Sequence, residues 1–162
     1  MSKQKIPVTA ATRFLKQSDI KYDTHLYKYE DKSGAAGSAL ALGVDNHTVI
    51  KTLVFQDDSK KLLIVLMHGD CEVSTKSLAR QLRVKSITPC SQDNAFRSTG
   101  YKFGGTSPFG TKKKLPIYFE ETIVELPIIY INGGKRGFLM SMEPKQAMNF
   151  LKATAVNVAI TD

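Results

Sequence analysis

The sequence predicts a single α+β domain, a mixed and mostly antiparallel central β-sheet or barrel flanked by short helices. Two neighbouring apolar, β-branched runs, Val49–Phe55 and Lys61–Met67, flank a polar stretch containing Asp57, Asp58, Ser59 and Lys60, and together read as an antiparallel hairpin. Short strand-like and helix-like segments interleave without the regular strand–helix repeat that builds a parallel sheet. The chain has 162 residues, enough for one core and too few for two ordinary ones, so 1–162 is expected to be one domain.

Along the chain, Ala10, Phe14 and Leu15 fall at helical spacing after Pro7, predicting a first helix around Thr9–Gln17. Tyr22–Tyr29 alternates and is aromatic, so it reads as a strand leading into a turn at Glu30–Gly34. Ala35–Leu42 suits a short helix that Gly43 ends. After the hairpin, Ser74 is placed to cap the helix TKSLARQL, and Ser91 to start another through Gln92, Asp93, Asn94 and Ala95. Strands are expected near Ile117–Phe119, Ile128–Ile131 and Phe138–Met142, followed by a helix that opens at Pro144 and runs to about Lys152. No internal repeat or low-complexity linker interrupts them.

Composition excludes several classes. Apolar runs such as Leu62–Met67 and Ile128–Ile131 are far shorter than the ~20 residues of a membrane-spanning helix. The N-terminus MSKQKIPVTAATRFLKQ carries charge but lacks the roughly 7–15-residue apolar stretch of an export signal, so a cytosolic location is expected. Cys71 and Cys90 are not paired closely enough for a zinc or redox motif, and reduced thiols are the default. With 23 Lys+Arg against 15 Asp+Glu the chain carries +8, which favours a polyanion without choosing one; a merely soluble basic surface fits equally.

Lys51 is the most informative single residue. Period-two alternation puts it on one strand face with Val49, Leu53 and Phe55, where an ammonium must either line a pocket or snorkel out at the strand end. Arg97–Lys114, RSTGYKFGGTSPFGTKKK, holds four glycines, five cations and no acid, so it reads as an anion-binding loop or as a solvated flexible one. It misses the G-x-x-x-x-G-K-[ST] phosphate loop, because Thr111 stands between Gly110 and Lys112, and an NTPase is rejected. In Asn132–Gly137 the glycine pair is expected to make a hairpin turn, either purely structural or presenting Lys135 and Arg136 to the same anion. His25, His47 and His68 form no H-E-x-x-H or similar spacing, so no metal is expected. No G-x-S-x-G elbow is present either, so an enzyme built on this chain draws its nucleophile from elsewhere.

Taken in order, IKTLVF, STGYKFGGTSPFG with its trailing lysines, and INGGKRG resemble the YbaK/ProX family of trans-editing aminoacyl-tRNA deacylases. The resemblance runs from the first helix through His25-Leu26-Tyr27 to the last helix. It implies a YbaK/ProX-like fold, no cofactor, and an enzyme that removes a wrong amino acid from tRNA. Its cysteine-clearing branch implies Cys-tRNA(Pro), or Cys-tRNA(Cys), as substrate, with the substrate's own thiol attacking the ester to release a thiolactone. Aminoacyl-tRNA is the implied partner, and prolyl-tRNA synthetase a second.

By position the resemblance assigns catalysis to Lys51 and substrate binding to Tyr27, Thr52, Gly104, Gly105 and Asn132. Lys112, Lys113, Lys135 and Arg136 are the implied tRNA phosphate contacts. Asn132 stands where relatives carry serine, Leu139 where some carry aspartate, and Gly34 near their phenylalanine. These departures leave the amino acid open. A deacylase for alanine or another small residue is one alternative, and a non-catalytic RNA-binding or synthetase-docking module is another; a substrate without a thiol separates the first, and binding without turnover the second.

Overall fold

A computed structural model describes residues 5–161. The first four positions of the segment read above for an export signal lie outside the described residues. Ten strands and five helices follow one another in the order α1 (Ala10–Leu15), β1 (Asp23–Leu26), α2 (Gly34–Leu42), β2 (Val49–Asp57), β3 (Leu62–His68), β4 (Cys71–Val73), α3 (Thr75–Leu82), β5 (Ile87–Pro89), α4 (Gln92–Thr99), β6 (Ile117–Glu120), β7 (Ile129–Lys135), β8 (Phe138–Met142), α5 (Pro144–Leu151), β9 (Thr154–Val156) and β10 (Ala159–Thr161).

The main sheet runs β1-β8-β7-β2-β3-β6-β9, with β5 also on β2, and β10 pairs β4 separately. Of the strand pairs, β2 with β7, β3 with β6 and β6 with β9 are parallel, and the others are antiparallel. The mixed, mostly antiparallel sheet expected from the sequence is therefore present, as an open path and not as a closed barrel. No helix among the described residues is long and apolar enough to cross a membrane.

Helix ends obey local chemistry. Thr9 and Thr12 make a reciprocal capping box at α1, and Ser74 and Ser91 accept from Ser77 N and Asn94 N at the starts of α3 and α4. Gly43 ends α2 in the left-handed conformation. Two expectations need correction. The strand expected over Tyr22–Tyr29 stops at Leu26, because after Tyr27 N bonds Gly137 O the chain leaves its partner β8. The glycine pair Gly133-Gly134 is not the hairpin turn: β7 continues to Lys135 through a register shift between Asn132 and Lys135, and the turn is Arg136-Gly137. The short strands β4, β5, β9 and β10 were not expected from the sequence, since three residues carry too little periodicity to read.

The hairpin β2–β3 is the spine, and its two faces alternate as period two requires. Ile50, Val54, Ile64 and Leu66 face a large core with α1, α5 and Phe109. On the other face Leu53, Phe55, Leu63, Val65 and Met67 pack with α3, β5 and the C-terminal strands, while Val49 joins a small separate cluster with Ala39 of α2 and Leu139.

Candidate active site

The second face of β2 is covered at both ends and bare in the middle. β7 pairs β2 only at Val49 and Ile50, and β5 only from Phe55 to Asp57. Residues 51–53 thus have a strand neighbour on the β3 side alone, and the other edge is taken up again where Cys90 N donates to Val54 O. The cover of α2 reaches Val49, the cover of α3 begins at Leu53, and Lys51 lies between them. This gap is a cavity of about 280 Å³ whose walls include Tyr27, Lys51, Thr52, Gly104, Asn132 and Leu139.

The side chain of Lys51 is only 20% exposed. Its Nζ donates to the Cys71 carbonyl at 2.5 Å and lies 3.5 Å from Glu72 Oε1. Glu72 is exposed, so that ion pair contributes little, and the carbonyl is what fixes the ammonium. One of the three ammonium donors remains for a ligand. Beside it the Thr52 hydroxyl is buried without a hydrogen-bond partner. Such a group costs roughly 1–3 kcal/mol unless something completes it.

The opposite wall is a clasp built from two turns. Asn132 Nδ2 donates to Gly104 O at 3.2 Å, and its Oδ1 accepts from Gly134 N at 2.7 Å and Lys135 N at 3.2 Å. Arg136 Nε donates to Phe103 O at 2.7 Å, and its guanidinium sits 5.0 Å from the Tyr29 ring centre. The glycines are there because nothing larger fits. Gly104 has φ +87°, and a Cβ on it would fall 2.6 Å from the Tyr29 hydroxyl; one on Gly105 would fall 2.9 Å from Arg136 N. Gly105 N–H is already bonded to Lys102 O, whereas the N–H groups of Phe103, Gly104 and Thr106, which line the cavity, have no partner among the described residues. Tyr27 accepts from Ser38 Oγ at 2.9 Å on its hydroxyl.

The structure thus gathers Tyr27, Lys51, Thr52, Gly104 and Asn132 around one cavity, with Gly105 directly behind it. Lys135 and Arg136 are exposed on the clasp and do not line the cavity. Lys112 and Lys113 are exposed elsewhere, their N–H groups bonded to Thr99 O and Ser98 O after α4. Sequence reasoning missed Tyr29, Lys32, Ser38 and Phe103 in the walls. Tyr29 follows Tyr27 by two positions, a signal that period two offered; Lys32 enters from a turn at φ +64°, which left none.

A polar cluster lies behind the lysine. His47 Nδ1 meets Asp70 Oδ1 at 2.8 Å, and its ring stacks on His68 at 3.7 Å. His68 bonds His47 O and Thr122 Oγ1, and burial pushes its pKa below the ordinary value. Burial and then the neighbouring Asp70 push the Cys71 thiol up to about 11. His47, Asp70 and Cys71 offer ligand atoms within 4.8 Å of one another, a grouping that the sequence spacing concealed. The raised thiol pKa keeps Cys71 protonated at neutral pH, in the form that does not attack esters.

Comparison with known proteins adds a family to this geometry. Residues 30–150 match the family described as aminoacyl-tRNA editing domain. The chain is 28% identical over 142 residues to EbsC of Enterococcus faecalis, which is named as a candidate Cys-tRNA(Pro)/Cys-tRNA(Cys) deacylase, and the match covers 87% of both chains. It is 33% identical over 76 residues to the proline–tRNA ligase of Ligilactobacillus salivarius, covering 47% of this chain and 13% of that much longer one. A crystal structure of a candidate trans-editing enzyme for prolyl-tRNA synthetase shares the fold, with a TM-score of 0.81, 20% identity, and coverage of 95% of this chain and 99% of that one.

Proposed function

The chain belongs to the aminoacyl-tRNA editing domain family, and from that premise we propose that it acts as a cytoplasmic trans-editing deacylase, with residues 1–162 as one editing domain, that clears cysteine mischarged onto tRNA for proline. The observation that carries the reading is the cavity at Lys51, which has an anchored ammonium, an unpartnered hydroxyl and a free loop amide but no activated nucleophile. An aminoacyl ester is already activated, so orientation and stabilisation of charge on its carbonyl oxygen are what a site must supply.

In this reading the substrate's thiol sulfur bonds to its own ester carbon, the bond from that carbon to the ribose oxygen breaks, and the thiol proton ends on that oxygen. Free tRNA and a cyclic thiolactone leave. Gly104 N–H faces the carbonyl oxygen, and Lys51 holds the terminal nucleotide and orients the amino acid. Tyr27, Thr52 and Asn132 shape the space around it. Similarity to several proline–tRNA ligases supports prolyl-tRNA synthetase as a partner that supplies tRNA identity. Such a second sieve is useful because a synthetase pocket separates side chains differing by one methylene by only ~1–3 kcal/mol.

One observation favours a different amino acid. Leu139, 3% exposed, forms an apolar wall of the cavity, which suits alanine or another small uncharged side chain. Purified protein incubated with cysteinyl- and alanyl-tRNA for proline separates the readings. Thiolactone release from the cysteinyl ester alone supports the first and alanyl hydrolysis the second, with Lys51→Ala abolishing either. Binding without turnover of both replaces them with the non-catalytic module.

A further inference from the structure

A second concavity, about 530 Å³, lies between α3 and the start of β5, with Ala79, Val84 and Ile87 in its floor and Lys76, Arg80 and Lys85 around it. All three cations are exposed, and none takes part in the two ion pairs found among the described residues. Their placement costs the free protein stability. Lys76 and Arg80 stand four apart on one helix face, where like charges repel, and Lys76 sits in the first turn of α3, at the positive end of its dipole. An anion lying across the groove removes both penalties at once.

The groove is also held rigid. The Asp58 carboxylate accepts from Lys85 N at 2.9 Å and Ser86 N at 3.3 Å, which fixes the loop carrying Lys85 to the β2–β3 turn. Desolvation alone would raise the Asp58 pKa, but the two backbone hydrogen bonds to its Oδ1 and the nearby Lys85 charge hold it below the ordinary carboxylate value.

The register relates this groove to the cavity. Ile87 pairs with Asp57, six residues along β2 from Lys51, so the groove begins about 20 Å from the lysine at the usual strand rise. The helix that walls the groove, α3, packs on the face of the hairpin that Lys51 shares with Leu53 and Phe55, and β4 runs from the carbonyl that holds Lys51 into α3.

We propose that the α3–β5 groove binds the phosphodiester backbone of the RNA strand whose aminoacylated end lies against Lys51, a few nucleotides upstream of it. The assignment rests on the deacylase reading for what occupies the cavity, and on charge and shape alone for what occupies the groove. Phosphates are the recognised groups, because the groove sets three cations around an apolar floor.

The test compares the wild type with Lys76→Gln/Arg80→Gln/Lys85→Gln and with a control of equal charge change on the opposite face, Lys16→Gln/Lys21→Gln/Lys145→Gln. Binding of deacylated tRNA is followed by fluorescence anisotropy at several salt concentrations, and cleavage is followed on cysteinyl-tRNA and on the minimal cysteinyl ester of adenosine. Three lost phosphate contacts lower the slope of log affinity against log salt by roughly two units. The groove variant is expected to show that loss and a raised KM on tRNA, with unchanged turnover of the adenosine ester; the control keeps the wild-type slope. An unchanged slope in the groove variant, an equal loss in the control, no tRNA binding by the wild type, or displacement by polyglutamate in preference to RNA overturns the proposal. If the wild type cleaves neither ester while the groove variant alone loses tRNA affinity, the cysteine-clearing reading fails and the groove stands.

Discussion

The two faces of the β2–β3 hairpin treat similar sequence in opposite ways. On one, Ile50, Ile64 and Leu66 are closed off by a continuous layer from α1, α5 and Phe109. On the other, α2 and α3 cover the two ends separately and leave Lys51 facing a cavity that Thr52 lines from the open edge of β2. The closed face spends its residues on stability. The interrupted face keeps a partly exposed ammonium held by the Cys71 carbonyl, and the strand edge beside it keeps the unpartnered Thr52 hydroxyl; the remaining ammonium donor and the hydroxyl become useful when a ligand fills the gap.

If that contrast is right, the largest stability effects belong to the closed face. Phe109→Ala, at a side chain with no exposure, is expected to cost about 3–5 kcal/mol in urea unfolding; a loss below ~1 kcal/mol would dissolve the distinction. Lys51→Met should do the reverse, lowering kcat/KM for the aminoacyl ester by roughly 100-fold, or ~2.7 kcal/mol, with little change in Tm. A variant that unfolds instead would make Lys51 a structural residue.

Gly104→Ala sharpens the clasp. It forces an L side chain to positive φ at about 1–2 kcal/mol and drives its Cβ onto the Tyr29 hydroxyl. Activity should fall, and adding Tyr29→Phe should recover part of it by removing the atom that is struck; no recovery would locate the damage elsewhere.

The pH dependence tests the closed side again. The folded-state pKa of His68 lies below 6.5 because burial penalises the imidazolium, so the unfolded chain binds the proton more readily. Its contribution to stability is complete above pH 6.5 and is lost as pH falls through the folded pKa, with a slope of at most ~1.4 kcal/mol per pH unit. Unfolding measured from pH 8 downward should show this acid-side loss, and His68→Gln should flatten it. The smallest effect is expected at Thr52→Val, which removes an unpartnered buried hydroxyl: stability unchanged or higher by up to ~1 kcal/mol, and turnover lower. Unaltered turnover would mean the hydroxyl meets no ligand.

Much of this was legible from the chain. The hairpin, the caps at Ser74 and Ser91, and the face shared by Lys51, Leu53 and Phe55 follow from periodicity and local hydrogen-bonding chemistry. The motifs around Gly104 and Asn132 were visible as strings, but their meeting was not. Asn132 and Gly104 are joined across 28 positions by a side-chain amide, and Gly133-Gly134 looked like a turn because a bulge and a turn ask for the same residue.

Local sequence therefore determined which segments become strands and helices, where the helices start, and that a lysine would stand within an apolar strand, because these depend on neighbours a few residues away. Tertiary structure alone decided that β7 and β5 leave one edge of β2 open at residues 51–53, that two turns clasp over the opening, and that Lys76, Arg80 and Lys85 share one groove. Those are meetings between distant segments, fixed by how the sheet's strands run out at different lengths, and no spacing along the chain encodes them.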